Sequence, residues 1–149
     1  MRDVPSTPRL LGLAGTLPQL ACVALLFLGE PEWRDITRMG ALIYAALIFT
    51  FLGGTWWGIA ASAPAAERRH ALGWLWLASI LPSLLAFAAV LWPLHGMAIE
   101  PALVSLGGGL IFALLVDAKL AALAPPWWMQ LRVPLSLILG FATLLIAWY

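Results

Sequence analysis

Charge is what this chain has least of. Of its 149 residues only 10% are Asp, Glu, Lys or Arg, against 63% hydrophobic, and the mean hydropathy is +0.96. A water-soluble domain carries about 25% charged residues, so a soluble globular fold is excluded for want of polar surface. Cysteine is nearly absent as well. Cys22 stands alone, which excludes an intrachain disulfide and a cysteine metal cluster, and it sits in an apolar run where a thiol packs as a small hydrophobe. Gln19, where a lipoprotein signal wants an aliphatic residue, argues against Cys22 as a lipid acceptor. No small-x-small site closes the first apolar run, which therefore reads as a retained span. There is no basic tract to bind nucleic acid and no phosphate-binding glycine loop followed by Lys-Ser/Thr.

Histidine is scarce too. His70 and His95 cap opposite ends of one span, 25 residues apart in the numbering, or roughly 35–40 Å along a helix. They cannot ligate one haem iron together. Glu100 is the only acid near His95, too small a set for a protein metal site, so neither a metal nor a cofactor is predicted.

What is present is a series of apolar runs of roughly 17–25 residues, the length that crosses a hydrocarbon core about 30 Å thick. The expectation is an all-α, polytopic transmembrane bundle of five helices in one domain over 1–149, with spans at about 10–28, 38–63, 71–92, 99–116 and 133–149. Pro18 leaves the carbonyl of Ala14 without its helical donor, so a kink is expected there. Gln19 beside it should face other helices, because a bare amide in hydrocarbon is unfavourable. Pro82 interrupts the third span, where Ser79 and Ser83 have hydroxyls that can serve backbone groups the proline frees. The same serines are four apart on one face, but no His or Lys at that depth could activate them.

Lysine and arginine placement predicts the orientation. With the N-terminus inside, Arg2, Arg9, Arg68, Arg69, Lys119 and Arg132 fall on the inner side and only Arg34 and Arg38 on the outer. The C-terminus then lies outside. Trimmed of their end residues, the five apolar cores contain no Asp, Glu, Lys, Arg or His. Ion-coupled transporters and proton relays generally keep such groups within the membrane, so their absence argues against that class. Asp117, at the exit of the fourth span, is expected to form an exposed pair with Lys119, Arg132 or the Arg68-Arg69 turn, worth about 0–1 kcal/mol.

Tryptophan and glycine carry the remaining signal. Trp56, Trp57, Trp74, Trp76, Trp127 and Trp128 map to the inner boundary, and Trp33, Trp92 and Trp148 to the outer. Amphipathic rings collect at both interfaces, yet the inner excess offers one aromatic cluster. Trp56, Trp57, Trp74 and Trp127 are its candidate ligand-lining residues. Gly53, Gly54 and Gly58 on the second span, and Gly107, Gly108 and Gly109 on the fourth, are candidate helix-packing positions, since small residues let backbones approach closely.

Four stretches in order, YAALIFTFLGGTWWG (44–58), SILPSLLAF (79–87), LLVDAKL (114–120) and LAPPWWMQLRVPLS (123–136), resemble the family built on domain of unknown function 3429, the transmembrane protein 69-like small membrane proteins. LLGLAGTLPQL (10–20) is also similar. The resemblance implies a multi-pass protein of the bacterial or mitochondrial inner membrane with no established activity. The family pattern carries a His-Trp pair where this chain has Trp56 and Trp57, so any role of that histidine is lost at Trp56. The reading is of a non-enzymatic protein whose partners are the lipid bilayer and other membrane proteins: a small subunit, assembly or stabilising factor of a larger complex. The alternative is a binder of a small molecule, namely a lipid, quinone or tetrapyrrole.

Overall fold

The computed structural model describes residues 4–63 and 72–149, and every described element is helical. In order these are α1 (Ser6–Ala14), α2 (Leu17–Leu28), a 3-10 turn (Pro31–Trp33), α3 (Arg34–Ser62), α4 (Gly73–Leu94), α5 (Glu100–Leu120) and α6 (Trp128–Trp148). Five stretches are long and apolar enough to cross a membrane: Ser6–Leu28, Pro31–Ser62, Gly73–Leu94, Glu100–Leu120 and Trp128–Trp148. The expected all-α membrane fold is therefore observed. Arg2, Pro64, Glu67, Arg68, Arg69 and His70 lie outside the described residues.

The first span breaks at Gly15 and Thr16, one turn before Pro18, as a proline without N–H requires. Thr16 caps the break through its hydroxyl, which donates to the Leu13 carbonyl at 2.7 Å. The Tyr44 hydroxyl reaches across from α3 and donates to the Gly15 carbonyl at 2.5 Å. Gln19 is fully buried, and its amide donates to the Thr143 hydroxyl of α6 at 2.8 Å. It turns inward, as the desolvation argument requires.

Pro82 is accommodated differently from expectation. The Ser79 hydroxyl donates to the Trp76 carbonyl at 2.8 Å, not to the carbonyl of Ala78 that the proline frees. The α3 backbone packs against this part of α4. A Cβ on Gly53 would run into the Ser79 carbonyl oxygen and would lie 3.3 Å from the Pro82 ring. α4 ends at Leu94, and Gly96 takes the left-handed conformation (φ 79°) that reverses the chain.

α3 with α4, and α5 with α6, are the two closest pairings. α3 also touches α2, α5 and α6 and runs through the centre of the bundle. Its buried stripe is Leu42, Ala45, Ala46, Phe49, Leu52, Gly53 and Trp56. α5 and α6 meet over small residues. A Cβ on Gly107 would sit 3.0 Å from the Gly140 carbonyl, and one on Gly140 equally near that of Gly107. The two helices thus approach backbone to backbone.

Candidate functional site

The buried stripe of α5 runs Leu103, Leu106, Leu110, Ala113, Asp117, Leu120. That is a spacing of three and four, the spacing of one helix face. Asp117 therefore occupies a core position one turn from the helix end. The stripe of α6 begins with Arg132 and continues through Leu135, Ser136 and Leu139. Both helices extend beyond the spans expected from sequence, because α6 starts at Trp128 and α5 continues to Leu120. Two ionisable groups expected at span exits are consequently inside the bundle.

They meet there. Arg132 Nε donates to Asp117 Oδ2 at 2.9 Å, with side-chain exposures of 9% for Arg132 and 0% for Asp117. The other carboxylate oxygen, Oδ1, accepts the indole N–H of Trp56 at 2.9 Å and that of Trp128 at 3.2 Å. Arg132 Nη2 donates to the Ser136 hydroxyl at 2.9 Å, and the guanidinium carbon lies 5.9 Å from the Trp128 ring centroid. One carboxylate thus receives three donors from α3 and α6 while standing on α5. This corrects the sequence expectation in kind. The partner Arg132 was among those foreseen, but the pair is buried and networked rather than exposed. An ion removed from water is tolerated only when its lone pairs are filled this way.

The inner tryptophans do not form one cage. Trp56 and Trp128 share Asp117. Trp57, half exposed, meets Trp76 edge to face with centroids 4.7 Å apart. Lys119 lies over the ring of Trp74, 5.9 Å from its centroid. Trp127 makes no bond to Asp117 and lines, with Trp128, a cavity between α1, α3 and α6. The glycines divide as well. Gly53 and Gly107 stand against neighbouring backbone, and a Cβ on Gly109 would lie 2.9 Å from the Phe49 ring. At Gly54, Gly58 and Gly108 a Cβ would meet nothing within 4 Å, so the Gly54-xxx-Gly58 pair makes no close contact inside the bundle. Gly140, which sequence reasoning passed over, is the partner of Gly107.

A cleft of about 520 Å³ lies between α4 and α5 with α3 as its floor. Phe49 and Trp56 form the base, Pro82 and Leu85 one wall, and Gly108 and Gly109 the other. Its one hydroxyl, on Ser105, donates to the Ala102 carbonyl at 2.8 Å. At the opposite end of the bundle Arg38 pairs with Glu100 at 2.7 Å. Glu100 is therefore engaged by an arginine and not by His95. No group of three or more metal-ligating side chains occurs among the described residues.

A family model described as "Protein of unknown function (DUF3429)" matches residues 4–148. Transmembrane protein 69 of Xenopus tropicalis is 31% identical over 143 residues, which cover 95% of this chain and 54% of that protein. The chain thus spans about half the length of the curated relative it matches. No solved structure matches it significantly. The chain belongs to the DUF3429 family, whose model covers nearly all of it.

Proposed function

Starting from membership of that family, we propose that this membrane protein is non-enzymatic and acts by association within the bilayer. Its role would be that of a small subunit, assembly or stabilising factor of a larger membrane complex. One observation carries the reading: the division between inside and outside. Asp117, Arg132, Trp56, Trp128, Gln19 and Thr143 use hydrogen bonds to hold helices to one another. The outward faces are apolar, with Leu47, Phe51, Leu81, Leu84, Phe87, Phe112 and Leu115 exposed. The α4–α5 cleft carries a single hydroxyl, that of Ser105, which is already bonded to the Ala102 carbonyl, so no nucleophile stands beside a base there, as covalent catalysis requires. Gly54 and Gly58 leave a stretch of α3 backbone open, the kind of surface against which a second helix packs.

Extraction from native membranes after mild crosslinking tests this. The expected result is a crosslinked partner that Gly54→Leu together with Gly58→Leu removes. A protein that migrates alone in both forms contradicts the reading. Family membership motivates the bacterial or mitochondrial inner membrane as the location, and the lysine and arginine bias supports an N-terminus inside and a C-terminus outside; reporter fusions that place the C-terminus inside would overturn that orientation.

The α4–α5 cleft favours a second reading, the binding of a lipid, quinone or tetrapyrrole. Its volume of about 520 Å³ lies in the range of small-molecule sites, and such sites are mostly apolar. The absorbance spectrum and lipid extract of the purified protein decide this reading. A bound molecule that survives Gly108→Leu lies elsewhere.

A further inference from the structure

The break in the first span has a second consequence at the Asp117 end of the bundle. α1 packs on α6 through Gly12, where a Cβ would come within 2.8 Å of Leu135. Beside that contact a cavity of about 310 Å³ remains between α1, α3 and α6. Leu11, Phe51, Leu52, Leu131 and Leu135 make it apolar, and Arg132 enters its wall. The Arg132 side chain is more than nine-tenths buried and is held by Asp117 through Nε and by Ser136 through Nη2. Its third nitrogen, Nη1, has no acceptor among the described residues.

A hydrocarbon-lined cavity with one fixed, charged N–H donor recognises a particular chemistry: an oxygen acceptor at the end of an apolar chain. We propose that this cavity binds a single-chain amphiphile, its carbonyl or carboxylate oxygen at Arg132 and its chain along Leu11, Phe51 and Leu135. The ion pair with Asp117 already balances the arginine, so the head needs an acceptor oxygen and not a negative charge. A fatty acid and a neutral ester or ketone share that feature. The site is distinct from the α4–α5 cleft, and it stands or falls independently of both readings above.

Trp127 and Trp128 also line the cavity, which supplies the readout. The full chain in lipid nanodiscs is titrated with stearic acid brominated mid-chain, with its methyl ester, and with the matching bromoalkane, following tryptophan quenching. Saturable quenching by acid and ester but not by the alkane is the expected result. Saturation by the acid alone identifies a carboxylate site, and saturation by both identifies a carbonyl acceptor site. Thr55 lines the cavity outside the Asp117 network, so Thr55→Met fills the space and should weaken saturable binding about tenfold or more, with an unchanged melting temperature. Leu11→Trp serves the same purpose should Thr55→Met lower that temperature. Arg132→Lys keeps the charge but loses the planar fork that can serve Asp117 and a ligand together, and should weaken the discrimination between acid and alkane. Equal, unsaturable quenching by all three probes overturns the proposal, as does saturable binding that a folded filling variant leaves unchanged.

Discussion

Among the described residues the bundle carries one arginine–carboxylate pair near each end, and the two are alike in chemistry but unlike in setting. Arg38–Glu100 joins α3 to α5, and a longer bond from Arg38 to the Ala147 carbonyl at 3.4 Å extends it to α6. Asp117–Arg132 joins α5 to α6, and Trp56 extends it to α3. The same three helices are thus tied twice. At the Arg38 end the side chains are 12% and 47% exposed, water competes for the charges, and Glu100 gains in addition from its place in the first turn of α5. At the other end the carboxylate is sealed from water. It stands in the last turn of α5, where the helix dipole disfavours an anion, and depends on Trp56, Trp128 and Arg132. The difference teaches that burial, not the identity of the pair, decides what an ion pair contributes.

The largest effect should follow from removing the sealed carboxylate. Asp117→Ala leaves Arg132 buried without its counter-charge and is expected to destabilise by about 3–5 kcal/mol, measured by reversible denaturant titration in mixed micelles. Trp56→Phe keeps the ring packing but removes one donor to a charged acceptor, so a loss of about 1.5–3 kcal/mol is expected. Two adjacent glycines on the same helix give a contrast independent of charge. Gly53→Ala drives a methyl group into α4 and should lose about 1–3 kcal/mol. Gly54→Ala meets no neighbour and should be neutral or slightly stabilising through helix propensity. Glu100→Gln, at the open end, should change stability by only about 0–1 kcal/mol, and added salt should shrink even that.

Much of this fold could be read from the residues. Five apolar runs of membrane length gave the five spans, Pro18 marked the break in the first, and the expense of a bare amide placed Gln19 inside. The polar centre is harder to see because Asp117 and Arg132 stand just beyond the apolar runs at 99–116 and 133–149. Both therefore read as loop residues, and Trp56, near the inner boundary, reads as an interface anchor. A usable signal was nevertheless present. Asp117 continues the three-and-four spacing of Leu103, Leu106, Leu110 and Ala113, whereas Lys119 departs from it and is exposed. Gly107 and Gly140 show a different limit. Each reads as a small residue in a helix, but their pairing depends on how α5 and α6 are set against each other, and no local pattern encodes that. The α1–α3–α6 cavity was beyond sequence reading for the same reason. It depends on where a broken helix leaves space.

The tie between α3 and the α5–α6 pair through Trp56 and Asp117 is what makes the Asp117 end a centre of the fold. A double-mutant cycle on Trp56→Phe and Asp117→Asn, followed by the same unfolding titration, measures it. The expected coupling lies within about 0.5–3 kcal/mol, the range for residues in direct contact, because once the carboxylate is neutral the indole N–H has less to lose. Additive effects of the two substitutions, or a Trp56→Phe protein as stable as the wild type, would contradict the tie.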